Sequence, residues 1–199
     1  MCTLTTFSVP GILKKPRTGR EIAAELAALT GDKRVRAVHA LGKGDQEALW
    51  DACAGQECGP DDFVAAGTPV GLEEIHKGKN SLPAFNHFEK RFCRAEDRDG
   101  VLYGYNHNWH NFSTTGPGYF TAYWHEDYDG FAFNYYEVPP LGTRLPLGWP
   151  AVRPNEYGLA RFIYSQMIDV MRKVTDGVTI GRAWRQGVLT DNYFVLCRP

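Results

Sequence analysis

The segment His107-Asn108-Trp109-His110 sets two imidazoles three positions apart. On a strand such residues point to opposite faces, so they can share a metal only where the segment bends. With His125 and Glu137 close by in the expected sheet, a His/Glu metal site is the lesser reading. The greater is that these histidines sit at the rim of a barrel or bond to tyrosines. His107, His125 and Glu137 each fall near the polar end of an aromatic strand. An imidazole at the mouth of an apolar cavity can act as general acid or base near neutral pH, and a carboxylate raised in pKa by burial can do likewise. That chemistry suits a cofactor-free isomerase, cyclase or dehydratase working on an apolar substrate. Arg182 follows Ile180-Gly181 on an expected strand with buried neighbours, so it needs a carboxylate, from a ligand or from Asp169 or Glu137. Asp169, followed by Arg172, reads as half of a surface ion pair on a helix. No Gly-rich phosphate loop, GxSxG elbow or HExxH pair occurs, and nothing calls for a cofactor or a bound metal.

The elements that would carry these residues follow from pattern. Residues 1–18 read as an extended arm. Thr18 and Glu21 have capping-box spacing, and Ile22, Leu26 and Leu29 recur at helical intervals, which predicts a helix over 19–30 stopped by Gly31. A second helix runs from Asp45 to Gly55, and a turn of helix is suggested around Leu72–His76. From Phe85 the pattern becomes that of strands. Phe88–Arg94 and Val101–Trp109 are joined by a polar turn, and Tyr119–Glu126 and Phe131–Val138 form the clearest hairpin. Its loop, Asp127-Tyr128-Asp129-Gly130, suits a left-handed Gly130 and a register in which Tyr123 faces Tyr135 and His125 faces Phe133. Asn155 can cap a helix whose stripe is Leu159, Phe162, Ile163, Met167, Val170, Met171 and Val174. Val178–Arg185 and Asn192–Arg198 are the last strands. The chain reads as one domain over 1–199, with 1–80 a helical and loop flank and 85–199 a β-barrel core.

Composition narrows the partners. With 199 residues, 43% hydrophobic and 23% charged, the chain can bury a sizeable core and is not a disordered tract. A net charge of -1 provides no field to gather nucleic acid or anionic membrane. Lys14-Lys15-Pro16-Arg17 and Glu89-Lys90-Arg91 read as solvated surface. No apolar run of about 18 residues suggests a spanning helix, and the first residues lack a signal-peptide pattern, so a cytoplasmic location is expected. The five cysteines are odd in number and lack paired CxxC spacing, which points to buried free thiols.

The aromatic residues carry the functional reading. Between Val101 and Glu137 lie 13 of the 26 aromatics, and they occupy both strand faces. Tyr119, Tyr123, Phe131, Phe133 and Tyr135 are assigned to one face; Phe120, Trp124 and Tyr136 to the other. A solvated sheet would be polar on one side, so a closed barrel, helices or a partner chain must cover both. Buried tyrosine hydroxyls need partners, which a cavity with polar handles supplies; a solid aromatic core is an equal alternative. The expected lining is Tyr103, Tyr105, Tyr119, Tyr123, Phe133, Tyr135 and Arg182, and the expected guest is a small apolar or aromatic molecule. A structural or homodimerising domain is the remaining reading.

Arg161-Phe162-Ile163-Tyr164, Met167–Val174, Val178-Thr179-Ile180-Gly181-Arg182-Ala183 and Tyr193-Phe194-Val195-Leu196-Cys197-Arg198 form a cadence that resembles the closing segment of the GXWXG-type bacterial proteins of unknown function. The last two strands also resemble the end of the plastid lipid-associated proteins, the fibrillins. Both resemblances imply a lipocalin-like antiparallel barrel, or a strongly curved sheet, holding a small hydrophobic molecule. They cover about a fifth of the chain. The GXWXG motif itself is absent: its nearest counterpart, His76-Lys77-Gly78-Lys79, has no tryptophan, and the resemblance transfers no catalytic residue.

Overall fold

A computed structural model describes residues 16–83, 86–107, 116–156 and 160–199. His110, Cys2, Leu159 and the basic pair Lys14-Lys15 lie outside the described residues, and so does most of the arm read over 1–18.

Helix α1 (Gly19–Ala28) starts at the capping box: Thr18 Oγ1 accepts from the Glu21 amide, and the Glu21 carboxylate accepts from the Thr18 amide at 2.7 Å. Gly31, at φ +51°, breaks the chain as expected, but a further helix α2 (Gly31–His39) follows immediately. Its sequence is mostly polar and its buried residue is Val38, so it carries little helical periodicity to read. Helix α3 (Lys43–Ala52) replaces the one expected from Asp45; Asp45 lies in its first turn and accepts from the Gly42 amide at 3.0 Å. The one-turn helix α4 (Pro60–Phe63) ends in a buried phenylalanine.

Among the described residues eight strands close into a barrel in which each pairs with its sequence neighbours, all antiparallel, and the first pairs with the last. They are β1 (Glu74–Asn80), β2 (His87–Arg94), β3 (Leu102–His107), β4 (Tyr119–His125), β5 (Gly130–Asn134), β6 (Met167–Thr175), β7 (Val178–Arg185) and β8 (Val188–Cys197). Closure leaves no unpaired edge. Helix α5 (Ala160–Ile163) precedes β6.

Three sequence readings are corrected here. First, β1 occupies the stretch read as a turn of helix around Leu72–His76; its inward residues include His76 and Gly78, so no apolar alternation marks it. Second, the helical stripe from Leu159 to Val174 ends with α5, and Met167–Thr175 is strand β6. Ile168 and Val170 pack outside the barrel and Met171 inside, so both faces are apolar and period two is masked. Third, the β4–β5 loop is a 3-10 turn (Glu126–Tyr128) with Asp129, not Gly130, left-handed at φ +44°. Tyr123 therefore pairs with Ala132 and His125 with Gly130, an odd offset from the expected register. An odd offset exchanges faces: Phe120 joins Phe131, Phe133 and Tyr135 inside, while Tyr119 and Tyr123 turn outward.

Two apolar clusters result. Outside the barrel, Ile22, Leu26, Val38, Leu49 and Trp50 of the helices cover Ile168, Val170, Val178, Ile180 and Val195 of β6–β8. Gly19 permits the α1–α3 crossing, because a Cβ there would lie 2.0 Å from the Ala48 carbonyl oxygen. Inside, Phe92, Phe120, Phe131, Phe133 and Phe194 form one apolar cluster with Leu102, Met171 and Leu196. Rings lie directly on strand glycines: added Cβ atoms at Gly78, Gly104 and Gly181 would strike Phe88, Phe120 and Phe194. Phe63 of α4 seals one end, with its ring 5.1–5.3 Å from those of Phe92, Phe131 and Phe133.

Candidate functional site: a lysine enclosed in the aromatic barrel

The triplet Glu89-Lys90-Arg91, read above as solvated, is split by the barrel wall. Glu89 and Arg91 stand outside, where Arg91 Nη2 meets Glu89 at 3.0 Å, Arg91 Nη1 meets Glu73 at 3.4 Å, and Lys77 pairs with Glu89. Lys90 points inward between Phe88 and Phe92. Its ammonium donates to Asn106 Oδ1 at 2.8 Å, to the Tyr135 hydroxyl and to Asp169 Oδ2 at 3.4 Å. Asp169, placed above on a helix surface, is instead an inward residue of β6, and the side chains of this pair are 3% and 4% exposed. Tyr135 donates to Asp169 Oδ2 at 3.2 Å and accepts from Asn106 Nδ2 at 3.1 Å, while Asn106 Nδ2 also donates to the Gly118 carbonyl. Strands β2, β3 and β6 supply Lys90, Asn106 and Asp169, and Tyr135 lies just past the end of β5.

Rings enclose it. The Lys90 ammonium lies 5.0–5.7 Å from the centroids of Phe88, Phe120, Phe133, Tyr135 and Phe194, close enough for desolvated cation–π attraction worth about 2 kcal/mol. Burial drives the lysine down to about 8, against the pull of Asp169. The same burial raises Asp169, opposed by Lys90 and Tyr135, and raises Tyr135 well above the ordinary phenol value. A lysine whose hold on its proton is weakened by burial, a carboxylate and a phenol in hydrogen-bond contact form an acid–base set. The lysine–carboxylate distance of 3.4 Å exceeds the roughly 2.7–2.9 Å of a tight charge-assisted bond.

Tyr164, just past α5, stacks on Tyr135 with centroids 5.8 Å apart and planes 8° from parallel. Gly118 makes room for it, since a Cβ there would lie 2.6 Å from the Tyr164 ring. At this end of the barrel, opposite Phe63, Tyr136, Ile163, Val188 and Leu189 are exposed apolar residues.

The residues expected to do chemistry stand elsewhere. His107 is on the outer side of β3, its Nδ1 3.4 Å from the Tyr105 hydroxyl, and burial followed by Arg91 lowers its pKa. His125 stacks on Tyr123 and meets Tyr128 edge-on. Glu137 accepts from the Tyr123 hydroxyl at 3.0 Å and from Asn134, and lies 3.7 Å from Arg98. His125 and Glu137 thus share Tyr123 outside the barrel, and His107 belongs to a separate group with Tyr105. Of the expected lining, Phe133 and Tyr135 are inside. Tyr103, Tyr105, Tyr119 and Tyr123 are outside; Tyr103 donates to Asp97 at 2.8 Å. The segment 137–155 covers part of this layer: Tyr119 donates to the Pro150 carbonyl at 2.6 Å, and Trp149 packs on Tyr105 and Tyr119. Arg182, on the outer side of β7, bonds the Thr190 carbonyl and Asp191 rather than Asp169 or Glu137, and lies over the Tyr193 ring.

The cysteines Cys53, Cys58, Cys93 and Cys197 are buried free thiols. Among the described residues no group of three or more His, Cys, Asp or Glu side chains is placed to hold a metal ion, and no helix is long and apolar enough to cross a membrane.

Protein-family models, curated proteins and solved structures yielded no match to this chain. The closed eight-stranded antiparallel barrel is the architecture expected from the sequence.

Proposed function

We propose that the barrel interior binds a small, largely apolar molecule, with the polar end of that molecule at Lys90, Tyr135 and Asn106 and its apolar body against Phe88, Phe120, Phe133 and Phe194. The observation that carries this reading is the lysine ammonium enclosed in an aromatic barrel. Stability does not call for it: an apolar pair of similar volume serves a core as well as a buried ion pair or better. A loosely spaced ion pair with a phenol and an amide beside it offers a carbonyl or carboxylate both donors and a charge. The exposed apolar rim beside Tyr164 supports entry at that end.

A second reading is favoured by the hydrogen-bond contact among Lys90, Tyr135 and Asp169. A cofactor-free isomerase, cyclase or dehydratase would use Lys90, Tyr135 and Asp169 as its acid–base groups, in place of His107, His125 and Glu137.

The test is native mass spectrometry of the protein purified from its own host and after equilibration with octanol. Wild type is compared with Lys90→Met/Asp169→Leu, whose folding is checked by circular dichroism. One small molecule held by the wild type and lost from the folded double variant is the expected result. No retained molecule in either protein, or equal retention in both, contradicts the proposal.

A further inference from the structure

We infer that Lys90 is the attachment point for a carbonyl compound: its side-chain amine, set among Tyr135, Asp169 and Asn106 inside the barrel, condenses with an apolar aldehyde or ketone to a protonated imine. The inference rests on the binding reading above and gives it a ligand class. Its ground is the arrangement of groups around one nitrogen.

Imine formation needs an uncharged amine, a proton donor for the departing oxygen and a site poor in water. Lys90 can give up its proton to the Asp169 carboxylate, 3.4 Å away. The freed nitrogen lone pair then forms a C–N bond to the carbonyl carbon, and the carbonyl π pair takes up the proton that the attacking nitrogen loses, one N–H bond breaking as the O–H bond forms, giving a carbinolamine. The C–O bond breaks as water departs, taking a proton relayed by the Tyr135 hydroxyl from Asp169; the two are 3.2 Å apart. The sum is amine plus carbonyl giving imine plus one water, with no change of oxidation state. The iminium nitrogen keeps the positive charge where the ammonium had it. It stays within reach of Asp169 and facing Phe88, Phe120, Phe133, Tyr135 and Phe194, so the rings that stabilise the lysine stabilise the product. The apolar surroundings disfavour the water that would hydrolyse it. Lysines with lowered proton affinity in apolar sites are the ones that perform this chemistry, and burial lowers that of Lys90. Lys173, paired with Asp62 and Asp176, is pushed the other way, up to about 12, and serves as an internal comparison.

The experiment incubates the whole protein at pH 8 with a modest excess of octanal, reduces with borohydride, and maps adducts by peptide mass spectrometry. Octanol, which has no carbonyl, is titrated in parallel by native mass spectrometry. The expected result is a single reduced octyl adduct on Lys90, at least tenfold more abundant than on Lys173 or any other lysine, together with reversible octanol binding. Octanol binding without a Lys90 adduct, or with adducts spread over exposed lysines, overturns the imine and leaves the binding site. No octanol binding and no Lys90 adduct overturns both. The trapping is done on wild type, so it does not depend on a variant folding. Lys90→Arg, which keeps the charge but has no amine to condense, is expected to abolish the adduct.

Discussion

Lys90 and Asp169 are a pair in which each side chain is costly without the other. Replacing Asp169 by leucine leaves an ammonium in an aromatic enclosure, and we expect a loss of about 3–5 kcal/mol in urea denaturation. Adding Lys90→Met removes the charge as well, so the double variant should return most of that loss and come within about 1 kcal/mol of wild type. Additive losses would show that the two side chains do not interact as the geometry requires. The same residues show where sequence reading stops. Lys90 has Phe88 and Phe92 two positions either side, and Asp169 has Met167 and Met171; strand parity alone assigns both to the inside. The charge of Glu89-Lys90-Arg91 outweighed that parity, although a strand can send neighbours to opposite sides of a wall. His107, His125 and Glu137 stood out because histidines and glutamates beside aromatics suggest a site, yet they lie on the outer side.

At the scale of elements, α4 matters more than its single turn suggests. Phe63 touches Phe92, Phe131, Phe133 and His76, and is fully buried. Phe63→Ala should cost about 3–5 kcal/mol, read as a lowered urea midpoint with an unchanged slope. A loss under about 1 kcal/mol would mean that α4 does not seal the barrel. The hairpins β2–β3 and β4–β5 and the strands β7 and β8 were legible because turn residues flank their aromatic and β-branched runs. Strand β6 was not, since a strand buried on both faces has no alternation to distinguish it from a helix. The face assignment of the tyrosines failed on one residue: with Asp129 rather than Gly130 in the left-handed position, the whole register of β4 against β5 moves by an odd step.

For the molecule as a whole, His76 links acid stability to barrel closure. It is fully buried, its Nε2 donates to the Phe63 carbonyl at 2.8 Å, and burial pushes it down to about 4. In the unfolded chain it takes a proton near pH 6.5, so between 6.5 and 4 the unfolded state binds more protons and stability falls as the pH falls. At about 1.4 kcal/mol per pH unit this amounts to about 3 kcal/mol. Asp169, raised by burial, acts in the opposite sense, holding in the folded state a proton that the unfolded chain releases. Comparison of wild type with His76→Gln, which retains a donor to Phe63, isolates the histidine. The variant should lose markedly less stability between pH 6.5 and 4 in urea titrations, and parallel curves would refute this role. The central claim concerns the interior, and it is tested most directly by NMR of protein labelled at phenylalanine, tyrosine and tryptophan and titrated with octanol. We expect saturable shifts at Phe88, Phe120, Phe133 and Phe194 with Phe63 little changed. Interior rings that stay still while the environments of exposed Trp124 and Tyr136 respond would contradict it.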